Sequence, residues 1–331
     1  MLNKRRALIT GISGQDGSYL AELLLSKDYE VHGIVRRSYI EDPDRKLWRI
    51  KDIQNEITLH SMSIESYASV FNVIRLVRPH ECYHLAAQSF VNSTLGDELA
   101  TINVNINSTH NIVSAIRESA PYCKFYFAGS SEMFGDTNEC PQHETSVFMP
   151  RTAYGISKLS GYHIIRNYRF RGELFASAGF LYNHESPRRG FEFVTRKITS
   201  HVAKIKYNQV DNLILGNLDA QRDWGHAREY VTAMWLMLQQ EVAADYVIAT
   251  GKLHTIRNIL EIAFEHVGLA YQDYVTSDVK FFRAPEKVSL AGDNSKALRE
   301  LGWEPKIEFS DIIKEMVDAD LKVVRNEMNK A

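Results

Sequence analysis

The sequence predicts an α/β fold, a doubly wound parallel sheet with a smaller, partly interleaved α/β lobe. Three observations carry this prediction. Short apolar runs alternate with helix-period segments along the first half of the chain. A glycine-rich turn joins the first run to the first helical segment, and the alternation loosens after about residue 181. Strand, helix and strand at such spacings are typical of parallel sheets with helical crossovers.

Each predicted strand is a short apolar run, and each predicted helix carries apolar residues at helical spacing. The strands of the first half are residues 7–10, 31–35, 82–87, 124–128 and 174–180. Its helices are residues 17–27, 66–77, 103–119 and 153–170, and later helices are residues 193–206, 256–268 and 311–324. We expect one domain at residues 1–180 plus about 219–250, and a substrate lobe at about 181–218 plus 251–331.

Composition excludes several classes of function. The 331 residues are 44% hydrophobic and 24% charged, a composition typical of globular proteins. The net charge is -2, so the chain has no overall positive charge that would attract nucleic acid or an anionic membrane surface. No apolar run approaches the ~18 residues of a membrane span. The three cysteines (Cys82, Cys123, Cys140) form no metal or disulfide pattern, which favours the reducing cytoplasm.

Gly11, Gly14 and Gly17 lie between the first strand and the first helix as G-x-x-G-x-x-G. This is a variant of the dinucleotide fingerprint of Rossmann-type sheets, in which bare backbone and a helix N-terminus face a pyrophosphate. A simple turn is the alternative, and the strand before the loop and the helix after it argue against it.

The second strand ends in Arg36 and Arg37, where NAD-binding folds carry an acidic residue for the ribose hydroxyls. A guanidinium can bind a 2′-phosphate through two hydrogen bonds, so this end favours NADP over NAD. Two solvated surface arginines are the alternative.

Polar residues follow the strand at 124–128 and begin the helix at 153–170. Ser130 and Glu132 stand where ligands lie in such sheets, although a carboxylate there could also be a solvated loop residue. Tyr154 and Lys158 are four apart, which places both on one face of a helix. We expect the Lys158 charge to lower the pKa of Tyr154 and let it move a proton near neutral pH.

Together with "YHLAAQS" (83–89), these motifs resemble the extended short-chain dehydrogenase/reductase family. Longer stretches, above all "NHESPRRG" (183–190) and "RDWGHA" (222–227), resemble its GDP-mannose 4,6-dehydratases over nearly the whole chain. The resemblance implies a lyase of deoxysugar biosynthesis that converts GDP-mannose to GDP-4-keto-6-deoxymannose. It also implies a bound NADP that serves as an internal hydride shuttle.

The resemblance assigns roles residue by residue. Tyr154 takes the proton of the C4 hydroxyl, Glu132 is the second base, Lys158 holds the ribose, and Ser130 replaces the usual Thr near the 4-oxygen. The implied cofactor set is Gly11, Gly14, Gln15, Asp16, Gly17, Arg36, Ser63, Ile64, Leu85, Ala86, Ala87, Ser89, Tyr154, Lys158, His184 and Arg189. The implied substrate set is Ser89, Glu132, Asn183, Val194, Lys197, Arg222, Arg283 and Glu286.

Three departures from the family leave alternatives open, and one is the order of "FRAPEKV" (282–288), which differs from the usual Arg-Pro-Ala-Glu although Arg283 and Glu286 keep their spacing. Ser63 replaces an Asp that holds adenine, and the loop at 38–52, which helps relatives form tetramers, differs, so either a homodimer or a homotetramer is expected. The substrate could be another GDP-sugar such as a GDP-heptose, or the chain could be a GDP-4-keto-6-deoxy-sugar reductase or an inactive NADP-binding regulator. Glu132 argues against a reductase, and the presence of Tyr154 and Lys158 with it argues against an inactive chain.

Overall fold

A computed structural model describes residues 4–89, 95–281 and 289–329. Its strands are β1 (Arg6–Thr10), β2 (Glu30–Val35), β3 (Thr58–Ser61), β4 (Glu81–His84), β5 (Lys124–Ser130), β6 (Ala176–Leu181), β7 (Asn183–Glu185), β8 (Leu213–Leu215), β9 (Gln221–His226), β10 (Asp245–Ile248), β11 (Leu253–Thr255) and β12 (Val275–Ser277). Its helices are α1 (Gln15–Ser26), α2 (Arg37–Glu41), α3 (Pro43–Lys46), α4 (Tyr67–Val77), α5 (Leu95–Ser119), α6 (Ala153–Phe170), α7 (Val194–Lys206), α8 (Ala227–Gln239), α9 (Ile256–His266), α10 (Ser295–Leu301) and α11 (Phe309–Met328). Short 3-10 helices occur at Trp48–Ile53, Ser131–Met133, Tyr271–Asp273 and Val279–Phe281.

The central sheet has seven strands in the order β10-β6-β5-β4-β1-β2-β3 within the described residues, and all its neighbours pair in parallel. From β1 at the centre, the chain adds β2 and β3 on one side of the sheet. It then adds β4, β5, β6 and β10 on the other side. The order therefore reverses between β1 and β4, and ligands of open α/β sheets lie in the crevice at the carboxyl ends of strands at such a point.

Helices cover both faces of this sheet, which confirms the predicted doubly wound fold. Leu24 of α1 and Met234 of α8 are fully buried in the cluster on one face. Ile74 of α4, Ile116 of α5 and Ile165 of α6 are fully buried in the cluster on the other. Each such side chain contributes about 1.5–3 kcal/mol of transfer free energy, so both helix layers are anchored by burial.

A third apolar cluster forms away from the central sheet. Ile198 of α7, Ile259 of α9 and Ile313 of α11 are fully buried in it. Beside these helices lie a three-stranded sheet in the order β11-β9-β7 and a pair formed by β12 and β8. Strand β7 begins two residues after β6 ends, so the three-stranded sheet starts directly at the carboxyl edge of the central sheet.

The observed elements differ from the predicted ones at a few places. Helix α5 begins eight residues earlier than residue 103, and α2, α3, α8 and α10 are additional to the predicted helices. Strand β4 ends at His84 instead of residue 87, because the N–H groups of Leu85 and Ala86 turn to the Thr10 hydroxyl. In the parts of the chain described here, no helix has the length and apolarity to cross a membrane.

A buried histidine joins the strands at the switch point. The Thr10 hydroxyl accepts the Leu85 and Ala86 N–H groups at 3.1 Å each, so its own proton is left for Nδ1 of His84 at 2.9 Å. His84 Nε2 then donates to the Thr109 hydroxyl at 3.2 Å. This network is satisfied by a neutral imidazole, and burial together with the Lys158 charge lowers the pKa of His84 to about 3.

The stability of the fold should therefore fall as the pH drops from about 6.5 to about 3. In this window the unfolded chain binds a proton at residue 84 and the folded chain does not, so stability rises with pH by ~1.4 kcal/mol per unit for that proton. Denaturant unfolding across the window should show a shallower slope in His84→Gln than in the wild type. His163→Gln, at an exposed position on α6, is the control, and an equal slope in all three proteins would contradict the assignment.

Candidate active site

The glycine loop is pressed against the loop that follows β4. Gly11 has φ = 75°, and a Cβ there would lie 2.9 Å from the Ala86 nitrogen. A Cβ on Gly17 would collide with the Gly11 carbonyl oxygen, so both positions require glycine. The Gly14 N–H donates to the Gly11 carbonyl at 2.9 Å and closes the turn.

This loop fits a dinucleotide. Gly14 is the N-cap of α1 and has no side chain to accept hydrogen bonds from the first turn. The first N–H groups of the helix can therefore donate hydrogen bonds to a phosphate, and the positive end of the helix dipole favours its charge. Bare glycine backbone lies on the approach to them, as the pyrophosphate of a dinucleotide requires. The predicted Gln15 and Asp16 are the first two residues of the helix.

The loop after β4 carries Leu85, Ala86, Ala87 and the exposed Ser89, and Asn105 of α5 holds it in place. The Asn105 side chain accepts from the Gln88 N–H at 2.8 Å and donates to the Ser157 hydroxyl at 3.0 Å. Ser157 in turn donates to the Tyr154 carbonyl at 2.8 Å. Sequence reasoning missed Asn105, although a polar side chain within a predicted amphipathic helix was a usable signal.

The structure brings Ser130 and Glu132 next to the start of α6. Ser130 ends β5, and its hydroxyl accepts from the Glu132 N–H at 3.2 Å. A Cβ on Gly155 would lie 2.5 Å from the Glu132 carbonyl, so α6 packs directly on this turn. Thr152 caps α6 by accepting from the Gly155 N–H at 3.0 Å. Two acid/base side chains, Glu132 and Tyr154, therefore face one site.

Burial controls the protonation of the predicted Tyr–Lys pair. Burial raises the pKa of Tyr154 to about 12, although the Ser130 hydroxyl and the Arg189 charge act to lower it. Burial also lowers the pKa of Lys158 to about 8. The prediction of a lowered Tyr154 pKa is therefore wrong, because burial outweighs the groups that act to lower it. The Lys158 ammonium donates to the Ala128 carbonyl at 2.8 Å and lies 5.7 Å from the Tyr154 ring centroid.

His184 and Arg189 lie close to the glycine loop. His184 Nε2 is 2.9 Å from Asp16 Oδ2. Arg189 contacts Glu185 at 3.1 Å, and its charge lowers the pKa of both Asp16 and Tyr154. The segment that follows β7 thus brings a cation close to both the first turn of α1 and Tyr154.

The residues expected at the adenosine end lie at the far edge of the sheet. Arg36 follows β2 and is exposed. Ser63 and Ile64 follow β3, and the Ile64 carbonyl accepts from the Asn111 side chain at 3.3 Å. All three stand at carboxyl ends of parallel strands, which is the edge where the glycine loop lies.

The residues expected to bind substrate are spread over β7, α7 and β9. Asn183 begins β7 and pairs with Trp224 of β9, two residues beyond Arg222. Val194 and Lys197 lie in the first turn of α7, where the Lys197 ammonium donates to the Ile214 carbonyl at 2.8 Å. The predicted Arg283 and Glu286 lie outside the described residues.

Arg49 is a second residue that the sequence reading missed. Its guanidinium donates to the Arg188 carbonyl at 2.7 Å and to the Ser13 carbonyl at 3.4 Å, so it ties the segment before β3 to the glycine loop. Burial lowers its pKa to about 10, which leaves it charged at neutral pH. The polar segment around it carries no pattern that would single it out.

Comparison with known proteins is consistent with this geometry. A family model described as GDP-mannose 4,6 dehydratase matches residues 8–316. The GDP-mannose 4,6 dehydratase of Cricetulus griseus is 43% identical, over 98% of this chain and 94% of that protein. GDP-mannose 4,6 dehydratase 2 of Arabidopsis thaliana is 45% identical (98% and 89%), and the Vibrio cholerae GDP-mannose 4,6-dehydratase is 40% identical (97% and 95%).

Solved structures share the fold at lower identity. RMD from Pseudomonas aeruginosa complexed with NADPH has a TM-score of 0.82 at 20% identity, covering 97% of this chain and 100% of that one. The dTDP-glucose 4,6-dehydratase from Bacillus anthracis in complex with NAD has a TM-score of 0.82 at 20% identity, with 98% of each chain covered. These two similarities support the Rossmann-type architecture.

Proposed function

Because the chain belongs to the GDP-mannose 4,6 dehydratase family, we propose that it converts GDP-mannose to GDP-4-keto-6-deoxymannose. The reaction oxidises C4, eliminates water across C5 and C6, and reduces C6. The observation that carries the proposal is the pair formed by Tyr154 and Glu132 at the carboxyl end of β5, beside a glycine loop that fits a nicotinamide dinucleotide.

The chemistry needs two proton-transfer groups, because C4 and the C5–C6 bond lie apart on the sugar. Tyr154 takes the proton of the C4 hydroxyl while hydride leaves C4. The resulting 4-keto group acidifies the hydrogen on C5, which the Glu132 carboxylate removes as a proton and then delivers to the departing C6 hydroxyl. When C6 is reduced, C5 regains one proton, which balances the proton that Tyr154 took from the C4 hydroxyl. Ser130 hydrogen-bonds the oxygen on C4. Since one group cannot serve both places, a plain reductase would have no use for Glu132.

Cations around Tyr154 let it act as a base. Burial keeps the phenol protonated in the ligand-free chain, and the Arg189 charge acts in the opposite direction. Lys158 lies on the same helix face and holds the nicotinamide ribose. A nicotinamide dinucleotide held here would supply the hydride acceptor and donor of the reaction, and its oxidised ring would add positive charge beside Tyr154.

We further propose NADP as the dinucleotide. Arg36 is exposed at the end of β2, at the position where a 2′-phosphate would lie. Its neighbour Arg37 is paired with Glu41 at 3.1 Å. Ser63, after β3, is proposed to accept a hydrogen bond from the adenine amino group, and a hydroxyl does so more weakly than a carboxylate.

The GDP-sugar is proposed to bind between the central sheet and the second lobe, residues of about 181–218 plus 251–331. Arg222 and Arg283 supply charge for the diphosphate, with Asn183, Val194, Lys197 and Glu286 as the remaining contacts and Ser89 near the hexose. The buried cluster of α7, α9 and α11 supports a separate core for this lobe. Residues of about 219–250 supply α8 and β10 to the first domain.

We propose a homodimer or homotetramer in the cytoplasm. Ile156 and Phe170 of α6 are 44% and 91% exposed, and an interface between copies of the chain along this helix would cover them. The three cysteines are free thiols, as a reducing compartment requires. Light scattering on the purified chain distinguishes one, two and four copies.

Glu132→Gln should abolish water elimination while GDP-mannose still binds. The amide keeps the shape of the side chain but cannot take the C5 proton, so turnover should fall by at least ~100-fold. Mass spectrometry follows the loss of water from GDP-mannose, and exchange of the C5 hydrogen with heavy water reports the base directly. Glu139→Gln, in the segment after β5, is the matched control. Turnover that survives in Glu132→Gln would remove this residue from the mechanism.

Arg36→Ala should weaken NADPH binding by about tenfold or more and leave NADH binding unchanged, since losing a charge-assisted hydrogen bond costs ~1.5–3 kcal/mol. Fluorescence titration with both dinucleotides measures this difference. Arg37→Ala removes a neighbouring charge already paired with Glu41 and should change neither affinity. If Arg36→Ala weakens both dinucleotides equally, the 2′-phosphate is not bound there.

A further inference from the structure

The helix that should receive the cofactor phosphates carries a negative charge in its first turn. Asp16 is the second residue of α1, two residues after the N-cap Gly14. Its carboxylate suits the positive end of the helix, but it would repel a pyrophosphate bound at the same place. A dinucleotide site with this residue therefore needs a compensating cation close to Asp16.

His184 supplies that cation. Its Nδ1 lies 2.7 Å from the Tyr182 carbonyl, which can only accept a hydrogen bond, so Nδ1 carries a proton. Its Nε2 lies 2.9 Å from Oδ2 of Asp16, and an ionised carboxylate is likewise only an acceptor. Both contacts are satisfied together by the doubly protonated ring. The ring also stacks on Tyr230 with centroids 4.6 Å apart, an arrangement that stabilises a cation.

Gln15 completes a bridge between the glycine loop and the strand that begins the three-stranded sheet. Its amide group donates to Oδ1 of Asp16 at 3.2 Å and to the His184 carbonyl at 3.0 Å. Its carbonyl oxygen accepts from the Ser186 hydroxyl at 2.8 Å. Both Gln15 and His184 are buried, at 9% and 8% exposure. The bridge thus fixes β7, and Asn183 at its start, relative to the cofactor loop.

We propose that Asp16 and His184 form a charge-neutral pair in which His184 acts as a positioning residue, orienting the glycine loop and cancelling the Asp16 charge that would otherwise oppose the dinucleotide phosphates. The inference rests on the dinucleotide site of the proposed function and not on the identity of the sugar. It gives the Asp16 carboxylate a role of its own, beside that of the backbone N–H groups at the start of α1.

The pair makes dinucleotide affinity depend on pH. Burial alone would lower the pKa of His184, but the charge and hydrogen bond of Asp16 and the Tyr182 carbonyl raise it above 6.5. Burial alone would raise the pKa of Asp16, but His184 and Gln15 lower it below 3.8. The pair stays ionised between these limits. As the pH rises through the His184 pKa, Asp16 loses its countercharge and affinity falls.

Other charged or titratable groups face the pair from neighbouring elements. They are Arg189 and Glu185 near β7, Tyr154 and Lys158 on α6, Tyr126 on β5 and Tyr230 on α8. Burial lowers the pKa of Lys158 to about 8, so Lys158 also loses its charge as the pH rises above neutral. The test must therefore alter the pair while keeping Lys158 in every protein compared.

A double-mutant cycle on the full chain makes this comparison. Wild type, Asp16→Asn, His184→Gln and the double variant are titrated by fluorescence with NADPH and with NADH, at a series of pH values that starts at ~6.5 and rises, because the His184 pKa lies above its ordinary value. His184→Gln keeps a donor for Asp16 without charge and should bind at least about tenfold more weakly, equivalent to ~1.4 kcal/mol. The double variant should regain most of that loss, because both charges are gone.

Asp16→Asn provides an independent readout, since the amide preserves the shape and the hydrogen bond to the ring. Its affinity should stay level across the pH range in which the wild type weakens. Two results would overturn the proposal and show that the bridge is only a structural contact. One is a loss of dinucleotide affinity with rising pH in Asp16→Asn as large as in the wild type. The other is a double variant that binds the dinucleotide as weakly as His184→Gln. A chain with the expected binding profile but no dehydration of GDP-mannose would contradict the proposed function alone.

Discussion

The close approach of two loops at the switch point of the sheet is the constraint on which the site depends. Gly11 lies against Ala86 so closely that no side chain fits between them, and Thr10 binds the N–H groups of the same loop. This contact holds the carboxyl ends of β1 and β4 together while their connections leave in opposite directions. The crevice above them is the place where the glycine loop, the end of β5 and the first turn of α6 meet.

Burial of α6 against this edge sets the chemistry of the site. It moves the pKa values of Tyr154 and Lys158 apart, to about 12 and about 8, because both charged forms lose hydration. The phenol is therefore a weak base until positive charge gathers around it. Arg189 supplies one such charge from the segment after β7, so the Tyr154 pKa depends on a residue from a distant part of the chain.

Much of this fold could be predicted from apolar periodicity. Helix α6 has the predicted bounds, and Ser130, Glu132, Tyr154 and Lys158 fall at the predicted edge. Helix α8 was missed because its apolar residues are not confined to one face, and α2 and α3 because their segment is polar.

Contacts between distant parts of the chain could not be predicted. Asp16 contacts His184, which lies 168 residues further along the chain, and no sequence pattern near either residue indicates that they meet. The direction of the Tyr154 pKa shift was also wrong, since spacing shows that Lys158 is near and does not show how deeply both are buried. Residue types and spacing thus predicted which residues belong to the candidate site. The pKa shifts of those residues could be obtained only once their burial and neighbours were known from the structure.

The central claim is that hydride removed from C4 returns to the same sugar at C6. The most direct test is to incubate the chain with GDP-mannose carrying deuterium at C4 and a trace of NADP, without added reductant, and to analyse the product by mass spectrometry. The account predicts a product that has lost one water and retains the deuterium at C6. A product without deuterium, or a reaction that stops once the trace of NADP is consumed, would contradict it.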